Sequence, residues 1–481
     1  MSRKNRKARK KNVVGLFAVV IQLLVSFAAF ALVYFSGMLP DQYMMAGGFL
    51  LVILAMITIL LQAVPNRIAH SIGIIFCILV CIGIGLGIYS YYNVYHVLVN
   101  VGGAEYKTDN MIVVVRKDDP AETILDAQDY IFATQTTSDT ENNQKMIKKL
   151  ETVIEKELIC REYKNVLEEA QALLDEKIDA AIYNESFNSV IEDSIEGYGD
   201  KIKILYQYGV DTKLKKVDQS VKKPFNIYIS GIDVYGPIST NSRSDVNILA
   251  TVNPETKQVL LTTTPRDYYV EIPDISGGQK DKLTHAGIYG VDASMATLSQ
   301  LYSTEINYYA RVNFTSLIKI VDTMGGIDVN SEVEFEAGGY SFTKGMNHMN
   351  GEQALAFSRE RHSFASGDNQ RGKNQEAVLT AIIKKMLQPS MLTKALSIMN
   401  TVGDSVETNV SDKQLADLVE MQLDSGGKWD ILTMNAIGVG DEQSCYSTGE
   451  QKLYVMQPIE ESVDSISDKI NRILRGEILT Q

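Results

Sequence analysis

Charge is nearly missing from a long stretch of this chain: from Val13 to Ala104 the only charged side chains are Asp41 and Arg67. That scarcity excludes a soluble domain there. The window divides into three apolar runs, Val13–Phe35, Ala46–Val64 and Ile72–Tyr92, each close to the roughly 20 residues that cross a hydrocarbon core. A cleaved signal peptide is disfavoured, because the first run exceeds a signal core and two more follow at once. Acid is missing from Met1–Asn12, which holds Arg3, Lys4, Arg6, Lys7, Arg9, Lys10 and Lys11. Such a basic tail (residues 1–12) stays cytoplasmic. With three spans in residues 13–104, everything beyond is expected outside, in a multi-pass plasma-membrane protein with extracellular C-terminal domains.

Cysteine is also scarce, with four in the chain, and no metal-ligand spacing is present. Cys77 and Cys81 lie one turn apart in the third span and read as packing. Cys160 and Cys445 leave one exterior disulfide open, which spacing alone does not decide. Positive charge is short outside the membrane. Taking the seven tail cations and Arg67 from 46 leaves 38, and taking Asp41 from 59 leaves 58, a net charge of about −20. So acidic an exterior argues against nucleic acid as a main partner, and a basic tail of twelve residues is too short to fold into a DNA reader. An anionic ligand must instead be held by a local arginine cluster with a metal.

The outer chain reads as α/β throughout. Residues 105–219 open with the strand-like Met111–Arg116 and alternate short strands with helical stretches at Lys145–Lys156 and Glu162–Lys177, a small accessory domain suited to spacing or docking. After the basic linker Lys213–Pro224, residues 220–390 read as a mixed sheet with flanking helices. Phe225–Ser230 is a buried strand, and Val246–Val252 and Gln258–Thr264 form a hairpin about Asn253-Pro254-Glu255-Thr256. Residues 391–481 read as a C-terminal extension packing on that domain.

Two clusters carry chemistry. Asp233, Arg243, Asp245 and Arg266 each sit at a strand end, and strand ends expose side chains at one rim of a sheet. Two carboxylates among arginines suit Mg²⁺, or Mn²⁺ in its place, bridging phosphate oxygens. Downstream, Ser358–Gln375 holds Arg359, Arg361, Arg371 and Lys373 beside Asp368 and Gln370. Guanidinium forks match phosphate oxygens bidentately, and a helix beginning near Asn369 adds N–H groups that favour an anion. Turn chemistry and a solvated charged face are the plainer accounts of the same residues. Asp368 fits a helix N-cap as well as a base. His285 and His362 read as bystanders.

Gly231-Ile232-Asp233, Ser242-Arg243-Ser244-Asp245, Thr264-Pro265-Arg266-Asp267, Lys282-Leu283-Thr284-His285-Ala286, Met324-Gly325-Gly326-Ile327, and Ser358-Arg359-Glu360-Arg361 through Asp368-Asn369-Gln370-Arg371 resemble the LytR–CpsA–Psr family over Phe225–Leu387. Three spans and an intervening domain resemble its capsule-locus CpsA-type members. The pattern departs at Asn374, where many members carry an arginine, with Lys373 as a stand-in. The resemblance implies an extracytoplasmic, Mg²⁺-dependent phosphotransferase of Gram-positive cell walls. It would move a capsular or related exopolysaccharide from undecaprenyl pyrophosphate to peptidoglycan, with a pyrophosphatase side activity when water attacks. Asp233 and Asp245 would hold the metal. Arg243, Arg266, Arg359, Arg361 and Arg371 would clamp the pyrophosphate, Gln370 would orient a phosphate oxygen or the acceptor, and Asp368 would be a candidate base. The family's polyprenyl tunnel would here be lined by Leu298, Leu301, Leu317, Ile320 and Val321. The alternative is a non-enzymatic regulator or scaffold of capsule assembly, working with other assembly proteins. A solute receptor built on the first outer domain is a further reading.

Overall fold

The computed structural model describes residues 13–36, 41–101, 106–136, 139–213, 217, 219–232, 241–364, 368–388, 390–391, 406–425 and 429–480. The chain divides into two units, Met1–Asn100 with Lys413–Gly426, and Val101–Asp412 with Gly427–Gln481.

The first unit holds α1 (Val13–Ser36), α2 (Asp41–Ala63) and α3 (Arg67–Val101). Pro65 stops α2, and Asn66 starts α3 by accepting from the Ile68 N–H at 2.9 Å. All three helices are long and apolar enough to cross a membrane. Only 11–17% of each apolar window is buried, so the rest of that surface requires lipid rather than water. Inside, Thr58 donates to Gln22 at 2.6 Å and ties α1 to α2. The helix Asp412–Ser425 groups with this unit.

The second unit begins with an α/β accessory domain. It comprises β1 (Tyr106–Arg116), β2 (Ile131–Gln135), α4 (Thr140–Ile154), β3 (Ile159–Tyr163), α5 (Val166–Leu174), β4 (Ala180–Asn184), α6 (Asn188–Ser194), α7 (Tyr198–Lys201) and β5 (Ile202–Lys213). The sheet order is β3-β2-β4-β1-β5. Strand periodicity sends Ile112 and Val114 to one apolar cluster and Met111, Val113 and Val115 to the other. The helix expected over Glu162–Lys177 is shorter. Its first residues close β3, and Asn165 caps α5 by accepting from the Glu168 N–H at 2.9 Å.

Next come β6 (Phe225–Ile232), β7 (Val246–Asn253), β8 (Gln258–Thr264), β9 (Tyr269–Glu271), β10 (Lys280–Lys282), α8 (Leu283–Ala286), α9 (Val291–Tyr302), β11 (Tyr308–Asn313) and α10 (Phe314–Met324). Two nested antiparallel pairs follow, β12 (Ile327–Ser331) with β15 (Gly345–Met349) enclosing the hairpin of β13 (Phe335–Ala337) and β14 (Tyr340–Phe342), then α11 (Gly351–Arg359) and α12 (Asp368–Met386). The chain ends with β16 (Val406–Thr408), β17 (Asp430–Asn435), β18 (Gly438–Ser444), β19 (Lys452–Pro458) and the helix Glu460–Leu474.

The central sheet is six-stranded, in the order β16-β11-β6-β7-β8-β17. It is mixed, with β6–β7–β8 antiparallel and the β6–β11 and β8–β17 pairs parallel. Both edge strands come from residues 391–481, so part of that segment completes the sheet. On β7, Ile248 and Ala250 face the cluster under α10, α11 and α12, while Leu249 faces the one under α9 and the C-terminal helix. The five residues expected to line one tunnel are divided by the same sheet. Leu317, Ile320 and Val321 lie in the first cluster, and Leu298 and Leu301 pack in or against the second. Helical spacing marks an apolar face but not which side of a sheet it covers.

Candidate active site at the sheet rim

The β7–β8 hairpin builds the centre of the site. Its register pairs Asn247 with Thr264, and continuing it two residues beyond the strands sets Asp245 opposite Arg266. There Arg266 Nη1 donates to Asp245 Oδ1 at 2.6 Å, with both residues at 8% exposure. The backbone around the pair is closed. Asp245 N–H donates to Gly231 C=O at 2.9 Å, Thr284 N–H to Arg266 C=O at 2.8 Å, and Ser244 N–H to Thr284 C=O at 3.1 Å. Ser244 Oγ is buried against Tyr228 Oη and Ser230 Oγ, at 2.8 and 2.7 Å.

Burial acts to raise the Asp245 pKa, but Arg266, Arg243, Arg371 and Lys282 together hold it below its ordinary value. The carboxylate therefore stays ionised under the influence of these cations. Lys282 also pairs with the buried Asp267 at 2.5 Å. Neither Lys282 nor Asp267 is among the site residues that the sequence marks, although both lie inside its motif blocks Lys282–Ala286 and Thr264–Asp267.

Of the site residues expected from sequence, Arg243, Asp245, Arg266 and Arg371 come together. The start of α12 lies against Arg266, since a side-chain carbon added at Gly372 would sit 3.8 Å from Arg266 Cδ. Gln370 is buried and donates to Asn374 Oδ1 at 3.1 Å. Asn374 in turn donates to the Phe357 carbonyl at 3.1 Å, joining α12 to α11. Lys373 pairs instead with Glu332 at 2.9 Å, both well exposed. It therefore does not stand in for an arginine beside Asp245. Arg359 is half-buried at the end of α11, and Arg361 is exposed with its Nε donating to His362 at 3.4 Å. Asp233 lies outside the described residues, as does the side chain of Asp368, which opens α12. His285 is buried elsewhere, its Nδ1 at 2.7 Å from Asp281 and 2.9 Å from Ser447 Oγ. It anchors the turn at Ser447 rather than the rim. Cys160 and Cys445 are both free thiols.

A cavity of about 730 Å³ opens beside Arg266, bounded by Gln370, Gly372, Lys373, Glu376 and Lys384. Burial, with Glu332 opposing Lys373, pushes the Glu376 carboxyl up to about 8, so it is neutral at pH 7. Sequence gave no sign of this, because it depends on what encloses α12.

An ionised carboxylate paired with one arginine and influenced by three further cations, at a sheet rim with a cavity alongside, suits a multiply charged phosphate ligand. Among the described residues no group of three His, Cys, Asp or Glu is placed to hold a metal. Mg²⁺ takes one or two carboxylates and completes its shell with phosphate oxygens, and the ionised Asp245 has that donor chemistry.

The LytR_cpsA_psr family model matches residues 193–468, more than half of the chain. The chain belongs to that family. Among LytR_cpsA_psr relatives, the polyisoprenyl-teichoic acid–peptidoglycan teichoic acid transferase TagU of Bacillus mycoides (strain KBAB4) is 38% identical over 211 residues, covering 44% of this chain and 67% of the relative. TagU of Enterococcus faecalis is 36% identical over 203 residues, 42% of this chain and 66% of the relative. The chain thus spans about two thirds of the length of these relatives. Bacillus subtilis TagV is a solved structure 27% identical, covering 54% of this chain and 99% of that one, with a TM-score of 0.45.

Proposed function

We propose that this protein transfers a polyprenyl-pyrophosphate-linked glycopolymer, a capsular polysaccharide in the finer reading, to peptidoglycan outside the plasma membrane. The observation that carries the reading is the buried Arg266–Asp245 pair at 2.6 Å, with Arg243, Arg371 and Lys282 close enough to help hold Asp245 ionised, in a protein of net charge −13. The names of the TagU relatives support the same class of reaction, and the three apolar helices support membrane anchoring with the basic tail inside.

In this reading the arginines bind the pyrophosphate. An acceptor hydroxyl of peptidoglycan attacks the phosphorus that carries the glycan, and a new O–P bond forms there. The bridging P–O bond breaks and polyprenyl phosphate leaves with the bond's electrons, while a base takes the hydroxyl proton, with Asp368 the candidate. Arg243, Arg266 and Arg371 stabilise the charge gathering on the leaving phosphate. Mg²⁺, held by Asp245 with Asp233, would neutralise phosphate oxygens. Gln370, Arg359 and Arg361 belong to the proposed pyrophosphate set, Arg361 reaching it only from its exposed position. Hydrolysis by water would give the pyrophosphatase side reaction.

The test is acceptor-dependent release of polyprenyl phosphate by the full chain in detergent, with and without Mg²⁺. Lipid-linked capsular and teichoic acid precursors are compared. Turnover favouring the capsular precursor is expected. Tight lipid binding without turnover, peptidoglycan being present, would replace this reading with that of a scaffold.

A further inference from the structure

Arg243 is gripped from outside the sheet that carries Asp245 and Arg266. Its Nη1 pairs with Asp193 of α6, in the accessory domain, with 19% of the Arg243 side chain and 45% of the Asp193 side chain exposed. Two residues earlier, Asn241 donates to Asp109 of β1, and its own Oδ1 accepts from Arg311 at 3.3 Å. The third contact is apolar. Ile288 is 1% exposed within the accessory-domain core that holds Phe187 and Val190. Tyr289 meets the Phe187 ring edge-on at 5.7 Å, and Ser186 Oγ donates to the Ile288 carbonyl at 3.3 Å. The loop bearing these residues lies flat on the Arg243 segment. A side-chain carbon at Gly287 would fall 2.6 Å from Ser242 O and 2.8 Å from Ser244 N.

The accessory domain therefore touches the Arg243 segment at its side chain, at Asn241 and through a loop pressed on its backbone. The pair with Asp193 engages a single guanidinium nitrogen of a group that carries five N–H donors. An arginine held this way has lost much of its rotamer freedom before a ligand arrives, so binding does not have to supply that ordering.

We infer that the accessory domain is part of the reaction site, with Asp193 the positioning residue that fixes the Arg243 guanidinium for the substrate's phosphate. The inference rests on the transferase reading for the phosphate, but not for the ordering of the segment. The two therefore fail separately. In the full chain in detergent, Asp193→Ala is compared with Asp193→Glu, Arg243→Ala and the double variant. Transfer kinetics are followed together with amide hydrogen exchange over residues 241–245.

Asp193→Ala should raise KM for the lipid-linked substrate about three- to tenfold, as expected for a half-exposed charge-assisted bond. Because Arg243 also stabilises the leaving phosphate, kcat should fall by a smaller factor, and exchange across 241–245 should speed up. Asp193→Glu should recover most of the loss, and Asp193→Ala should add nothing once Arg243 is alanine. A lower KM in Asp193→Ala would mean that the carboxylate competes with phosphate, overturning the inference. An equal loss in the Arg243→Ala background would reduce Asp193 to general stability and overturn it as well. If wild type shows no turnover, the transferase reading falls and exchange alone decides: faster exchange keeps the positioning role, and unchanged exchange removes it.

Discussion

Replacing Arg266 with alanine separates the two forces that set the state of Asp245. The carboxylate is buried, and its nearest counter-charge is Arg266 Nη1 at 2.6 Å. Breaking a buried pair from one side costs about 3–5 kcal/mol, at the lower end here because Arg243, Arg371 and Lys282 still act on the carboxylate. Adding Asp245→Asn removes that charge, so the double variant should be roughly 1–2 kcal/mol less destabilised than Arg266→Ala alone. The pH dependence should weaken. In wild type the folded pKa lies below the ordinary 3.8, so the pair's stabilisation is present above that value and is lost as pH falls through the folded pKa. Without Arg266, the first of the lowering charges is gone and the folded pKa rises toward the ordinary value. The loss of stability as pH falls should then shrink. Thermal unfolding of the full chain between pH 3 and pH 7, with the transfer assay alongside, reads both effects. Turnover should drop by about 10²–10³, as when a charge-stabilising donor is removed. Strictly additive losses in the double variant, with no change in pH slope, would refute an ion pair held by the hairpin register.

Two further outcomes follow from the same neighbourhood. Glu376 is neutral in the folded chain until about pH 8 but ionises near 4.5 when unfolded, so it makes stability decline as pH rises between those values. Glu376→Gln should flatten that decline in a pH series of unfolding midpoints, and an unchanged series would place the carboxyl in water. Gly287 has φ near −62°, which any residue adopts, so Gly287→Ala is a purely steric probe. The added carbon meets backbone at 2.6 Å and should cost about 1–3 kcal/mol and slow transfer. Wild-type stability would show that the loop yields freely.

What was legible in the sequence was local. Charge-free runs marked α1, α2 and α3, and Asn253 marked the β7–β8 turn, where its Oδ1 accepts from the Glu255 and Thr256 N–H groups at 3.0 and 3.2 Å. Strand ends placed Arg243, Asp245 and Arg266 at one rim because an antiparallel hairpin returns its two outer ends to the same edge. What was hidden depended on distant partners. Asp193 lies 50 residues before Arg243 on a helix whose pattern says nothing of a phosphate site. The hairpin of β18 and β19 is largely exposed and half-exposed, so it lacks the apolar alternation that announces a strand. Asn374 looked like a gap in an arginine pattern, yet it is the buried bond between α11 and α12.

The order in which the chain is made adds a constraint of its own. β8 carries Arg266 at its end, and its outer neighbour is β17, with Gln258 bonded to Asp430 across 172 residues of sequence. At about 5–20 residues per second, that partner follows on the order of ten to thirty seconds later. Until then the nascent sheet presents an unpaired edge, the kind of template that recruits foreign strands. A stop codon anywhere before Asp430 would leave that edge open for good. Late nonsense variants should therefore fail by aggregation, even though Arg243, Arg266, Lys282 and Arg371 have already been synthesised.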